Sequence, residues 1–146
     1  VIEKVDGPSH LKVVEEFGYE MYMHCGAIRK VLLAWQTPAF IDEYFKNIIL
    51  HDQAFPHVRP DDLREELKKI RQDGYAITHG EYVTDALGIG APVFNSDGEL
   101  AGSIGIIAPE IRVDTPEFLD TQKDLVQFYA SSLSADLGYE KHDVFQ

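Results

Sequence analysis

His24 and Cys25 are adjacent, and a second group of reactive side chains, His79, Tyr82 and Asp85, follows further along the chain. An imidazole beside a thiol is the pairing that generates a thiolate nucleophile, and His24 and His79 converging with Asp85 or Cys25 would hold a divalent metal ion. Gly26, Ala27 and Ile28 point to a different chemistry. Glycine permits a backbone closed to other residues, and the free amides at the start of the helix that follows would attract a carboxylate or another anion. Blander readings stand beside both: a turn entering a helix, an unpaired cysteine buried as a small hydrophobe, and a solvated loop from His79 to Asp85. The single cysteine and the lack of a His-Glu-x-x-His motif leave redox cycling and zinc hydrolysis without the residues they use.

Several elements must position these groups. Val1 to Val5 and Leu11 to Phe17 read as strands joined at Asp6-Gly7-Pro8-Ser9. Ala27 to Trp35 reads as a helix with Ile28, Val31, Leu32 and Trp35 on one face. Thr37 and Pro38 open a second helix whose Phe40, Ile41, Tyr44, Phe45, Ile48 and Ile49 are expected to pack on the sheet. Pro60-Asp61-Asp62 opens a third, striped by Leu63, Leu67 and Ile70 and stopped at Gly74. Tyr75 to Thr78, Leu87 to Phe94 and Leu100 to Ile107 are expected strands, the last two joined by the hairpin turn Asn95-Ser96-Asp97-Gly98. A final helix enters near Thr115-Pro116 and runs through Leu119, Leu125, Val126, Phe128, Tyr129 and Leu133 toward Gly138. Strands interleaved with such helices predict an α+β domain on an antiparallel sheet. Gly88, Gly90, Gly102 and Gly105 fall inside the expected strands, where glycine marks close approach of a ligand or another backbone, or simple sheet curvature.

Composition narrows the class. The 146 residues, 45% of them hydrophobic, suit a single domain able to bury roughly 68% of its unfolded surface. Thirteen Lys and Arg against 25 Asp and Glu give a net charge of -12, a field that repels a phosphate backbone, so this chain alone is not expected to bind DNA. No apolar run is long enough for a membrane span and no secretory leader is evident, so no membrane partner is expected and the cytoplasm is the expected location.

The order of several segments resembles one family. His24 with Lys30-Val31-Leu32-Leu33-Ala34, then Leu67-Lys68-Lys69-Ile70-Arg71-Gln72-Asp73-Gly74-Tyr75, then Ile89 to Gly98 with Ala101-Gly102-Ser103-Ile104-Gly105-Ile106, then Leu133 to Tyr139 resemble the effector-binding domain of isocitrate-lyase-regulator (IclR) type transcriptional regulators. The resemblance spans nearly the whole chain. It implies a GAF/PAS-like antiparallel sheet flanked by helices, with residues 1–146 forming an effector-binding and oligomerisation domain. It also implies that operator DNA is met only through an N-terminal winged helix-turn-helix missing from this chain. The implied partners are a small-molecule effector and further copies of the chain, as a dimer or possibly a tetramer, with no cofactor.

Carried across by position, the family's effector contacts fall on Ala27 and Ile28 at the loop amides, on Thr78 where an acid often stands, and on Gly88 where a thiol can occur. Gly105 and Ile107 fall where small-acid binders carry hydroxyls, which implies a larger or less polar effector here. His24, Cys25, Gly26 and His79 border the implied pocket, and Met21, Val13 and Ala86 would be its apolar wall. Arg29, where the family usually has glycine, is expected to face solvent. The resulting expectation is a ligand-gated repressor domain without catalysis. The competing classes are an enzyme using Cys25, His24 and His79, and an oligomerisation module without a ligand.

Overall fold

The computed structural model describes residues 1–13, 21–51, 58–113 and 115–141. Its helices are α1 (Ala27–Ala34), α2 (Pro38–Asn47), α3 (Pro60–Asp73) and α4 (Pro116–Asp136), and its strands are β1 (Ala76–His79), β2 (Ala86–Phe94) and β3 (Leu100–Pro109). The strands form one antiparallel sheet in the order β1-β2-β3.

The sequence of β2 explains the layering. Ala86, Gly88, Gly90 and Pro92 alternate with Leu87, Ile89, Ala91 and Val93, and successive side chains of a strand point to opposite faces. The larger set packs with Val126 and Ala130 of α4, together with partly buried Ile77, Ile104, Ile106 and Leu119. The smaller set faces α1, whose backbone sits almost directly on the sheet. A Cβ on Gly90 would lie 2.8 Å from the Ile28 Cα, and one on Gly105 would lie 2.7 Å from the Ile28 Cγ1. Both faces of β2 are thereby covered and eight of its nine residues are buried. Glycine here serves the approach of another backbone, as one of the sequence readings has it. Gly102 differs, since a Cβ there would meet nothing within 4 Å.

Behind α1 lies a second apolar cluster in which Val31, Leu33 and Ala34 meet Phe45, Ile49, Leu63, Leu67 and Ile70. The second helix thus joins α1 and α3 rather than packing on the sheet, because α1 already occupies that face. For the same reason the buried residues of α1 are Ala27, Lys30, Val31, Leu33 and Ala34, wider than the one-face stripe of the sequence reading. Helix ends follow the expected chemistry. Thr37 and Thr115 accept from the amides of Phe40 and Phe118, and Gly74 adopts φ 79° and donates its N–H to the Ile70 carbonyl. In the hairpin, the Asn95 Oδ1 accepts from the amides of Asp97 and Glu99, and Gly98 takes φ 75°.

The expected N-terminal strand is not formed. Residues 1–5 form no strand: Ile2 and Val5 are 99% and 94% exposed, and an apolar alternation holds a strand only where one face is covered and a neighbour completes the ladder. Residues 11–13 are also outside any strand, and 14–17 lie outside the described residues. On α4 the face that meets the sheet carries Leu119, Val126, Ala130 and Ser134, so Leu125, Phe128, Tyr129 and Leu133 point outward. The Ser134 hydroxyl donates to the Ala130 carbonyl and accepts from the Phe94 amide, fastening the end of β2 to α4. Close by, Trp35 at the end of α1 packs edge-on to Phe94 at 5.9 Å, and Phe94 meets Tyr139 at 5.2 Å.

Candidate functional site

The start of α1 gathers polar side chains from α3, β1 and the 80–85 connection. Gly26 takes φ 88°, as its position before the helix requires, and turns the first amides of α1 toward β1 and the 80–85 connection. The Gly26 N–H donates to the Glu81 Oε2 at 3.1 Å and the Ala27 N–H donates to the Thr78 Oγ1 at 3.0 Å. Two of the helix's orphan donors are therefore satisfied by side chains from a segment far away in sequence. The carboxylate that the sequence invites to these amides is supplied, in this structure, by the chain itself.

One turn on, Lys30 is 2% exposed. Its Nζ donates to the Glu81 Oε1 at 2.6 Å and to both carboxylate oxygens of Glu66, on α3, at 2.8 and 2.7 Å. A buried ammonium is tolerable only when paired and hydrogen-bonded, and here all three of its protons have acceptors. Glu81 joins Lys30 to Gly26, so a single carboxylate bridges the helix interior and its N-terminus. Sequence reading passes over Lys30, Glu66 and Glu81. The available signal is a lysine spaced three and four residues from Ala27 and Ala34, on a stripe of small residues that allows neighbours to come close.

The connection that carries Glu81 is pinned further. The Arg29 guanidinium lies 4.0 Å over the Tyr82 ring and donates to the Cys25 carbonyl at 3.4 Å, so Arg29 packs on the protein instead of facing solvent as expected. The Tyr82 hydroxyl reaches the Met21 sulfur at 3.5 Å. Asp85 ends the connection at φ 58°, the one left-handed non-glycine among the described residues, and its carbonyl accepts from the Glu110 amide.

His24 is fully buried; its Nδ1 lies 2.9 Å from the Tyr44 hydroxyl and its ring packs beside Tyr22 and Tyr44. Cys25 is fully buried and forms no disulfide. His79 is exposed and its Nδ1 meets the Glu110 Oε1 at 2.9 Å. His24 and His79 thus answer to different partners, and among the described residues no three His, Cys, Asp or Glu are placed to hold a metal ion. The convergence with Asp85 is not formed. Thr78 faces Gly88 across the sheet, Gly88 faces Ile107, and Ala86 is buried opposite Pro109. A Cβ on Gly88 would stand 2.9 Å from the Thr78 Oγ1 and 3.4 Å from the Ala27 Cβ. The space beside Gly88 and Gly105 is therefore taken up by α1. Val13 lies in a separate groove of about 630 Å³ shared with Leu11, Val83, Asp85 and Ile111.

The arrangement of α1 on the glycine face of the sheet and α4 on the other is shared with bacterial transcriptional regulators of known structure. The chain superposes on the Thermotoga maritima IclR crystal structure with a TM-score of 0.81 at 28% identity, covering 94% of this chain and 56% of that one. It shares the fold of the Agobacterium tumefaciens repressor BlcR, with a TM-score of 0.73 at 24% identity over 86% of this chain and 51% of that one. Residues 1–135 match the family described as bacterial transcriptional regulator IclR C-terminal, and the chain belongs to that family. Curated relatives include the uncharacterized HTH-type transcriptional regulator RhmR of Escherichia coli, 30% identical over 95% of this chain and 54% of that protein. The HTH-type transcriptional regulator KipR of Bacillus subtilis is 26% identical over 94% of this chain and 55% of that protein. The chain spans about half the length of the curated relatives it matches. Among the described residues no helix is long and apolar enough to cross a membrane.

Proposed function

We propose that this chain is the ligand-sensing part of an IclR-type transcriptional regulator, acting without covalent chemistry on its effector. The observation that carries the reading is the junction at Gly26 and Ala27. Its two amides are held by the side chains of Glu81 and Thr78 beside the Lys30 ammonium, contacts that a small polar ligand can exchange for its own. Because α1 rests on Gly90 and Gly105, entry requires the 80–85 connection or α1 to move, and a sensor needs two such arrangements. The ligand then acts only through its different affinity for the two, about tenfold in occupancy for each 1.4 kcal/mol. Operator DNA is reached through a separate DNA-binding segment, in keeping with a net charge of -12.

Calorimetric titration and thermal melting against keto acids, aromatic acids and sugar acids test the reading. At least one class is expected to bind and to raise the melting temperature by roughly 2 to 4 °C per kcal/mol of linkage. A panel with no binder would leave a module for association alone.

That second role has its own support in the outward face of α4, where Leu125, Phe128, Tyr129 and Leu133 are 44%, 65%, 59% and 39% exposed. Apolar residues clustered this way on one helix mark a protein contact, and closed two-fold assemblies are the commonest solution. We propose that α4 contributes to a homodimer. Phe128→Glu is expected to shift sedimentation toward monomer while changing unfolding free energy by less than about 0.5 kcal/mol, since the side chain touches little of the core. Unchanged sedimentation of a dimeric parent would place the interface elsewhere.

A further inference from the structure

The segment between β1 and β2 has the parts of a strap. We propose that residues 80–85 are a latched flap over the start of α1, with Glu81 as its latch. Each end turns on a left-handed residue, Gly80 at φ 61° and Asp85 at φ 58°, and the Gly80 N–H donates to the Ala86 carbonyl at 2.8 Å, closing the base of the flap. Between these ends the segment is held to α1 and the residues before it by side chains: Glu81 on Lys30 and Gly26, Tyr82 under the Arg29 guanidinium and against the Met21 sulfur. The Cβ position of Gly26 lies 3.8 Å from the Tyr82 Cβ, so the flap covers the backbone next to the buried Cys25.

The three-way ion pair makes this latch releasable. Breaking a buried ion pair is costly because it strands the remaining charge. Here Lys30 keeps two contacts to Glu66 after Glu81 leaves, so the buried ammonium is never left alone. Glu81, 22% exposed where it stands, gains water on release and leaves behind a second carboxylate that repels it on the same cation. Opening then uncovers the Gly26 amide and the backbone beside the buried Cys25, while the β2–β3 ladder stays paired. The link from this motion to ligand entry rests on the sensing reading above; the motion itself does not.

The single thiol is the reporter. In the 146-residue chain without any added effector, Cys25 labelling by a small thiol reagent is followed alongside amide hydrogen exchange at Ile89 and Ile106. Glu81→Gln preserves the shape of the side chain, removes its charge, and leaves one acceptor where there were two. It is expected to speed labelling about fivefold, and Glu81→Ala about tenfold or more, with exchange of the ladder amides within about twofold of the parent. Labelling that stays at the parental rate in both variants would overturn the latch. So would labelling that rises only in step with ladder exchange, because the thiol would then be exposed by general loosening. Since no effector enters the measurement, a labelling response combined with an empty ligand panel would sink the sensing reading and leave the flap.

Discussion

Gly105→Ala is expected to destabilise the chain by about 3 kcal/mol, lowering its melting temperature by roughly 10 °C, although it adds only one methyl group. That methyl would stand 2.0 Å from the Ile89 carbonyl oxygen, 2.7 Å from the Ile28 Cγ1 and 3.0 Å from the Gly90 Cα. Two of those three are backbone atoms in the β2–β3 ladder, where Gly90 and Gly105 are directly paired, so the contact cannot be relieved by turning a side chain. Either the ladder parts or α1 lifts from the sheet. Gly102→Ala is the internal control: it lies on the same strand with nothing within 4 Å of its Cβ position, and it is expected to be neutral or slightly stabilising. Thermal unfolding of the two variants side by side decides the matter. Equal melting temperatures would mean that α1 does not rest on this part of the sheet.

The second large effect is expected at Lys30. Lys30→Ala removes a 2% exposed ammonium and its packed stem, leaving Glu66 and Glu81 facing one another without a cation. A loss of about 3 kcal/mol is expected, at the lower end for a broken buried pair because both carboxylates keep some solvent. Lys30→Met restores most of the stem volume and should recover about 1 kcal/mol of that loss, which separates packing from charge. Urea denaturation of the two variants reads the difference directly. A Lys30→Ala midpoint equal to that of the parent would mean that the two glutamates do not depend on this lysine. Removing either carboxylate alone is the milder change, since the lysine retains the other.

Much of the fold is legible in the residues because local chemistry and tertiary packing agree. Thr37-Pro38, Thr115-Pro116, Gly74 and the Asn95 to Gly98 turn each have a backbone requirement that few other residues meet, and each stands where the sequence puts it. The β2–β3 pair is equally plain from two apolar segments joined at that turn. What periodicity cannot convey is which layer lies behind an element. It marks Leu125, Phe128 and Tyr129 as apolar but not that the sheet takes the neighbouring face of α4. It marks Val1, Ile2 and Val5 as apolar but not that they are left exposed.

The candidate site was half visible for a related reason. Gly26 and Ala27 could be placed because a helix start is a local feature, whereas Thr78 was placed by resemblance to the family. Resemblance to the family put Gly88 and Gly105 at the same spot, where they indeed lie, though as a bed for α1. Lys30, Glu66 and Glu81 come from three segments that only the folded chain brings together, and a charged residue within an apolar helix looks from sequence like part of its solvent face. Of the two histidines, His24 is enclosed by Tyr22 and Tyr44, and His79 pairs with Glu110 at the surface, partners that lie far apart in sequence and that residue type alone does not reveal.

The row of rings formed by Trp35, Phe94 and Tyr139 has an optical consequence. Trp35 is the only tryptophan in the chain, and it stands where the end of α1 meets the end of β2 and the residues that follow α4. Its indole therefore samples the spacing of all three layers at once, at the opposite end of α1 from Gly26. The protein carries a native fluorophore whose emission registers any sliding of α1 along its glycine bed, with no label to attach and no side chain to replace.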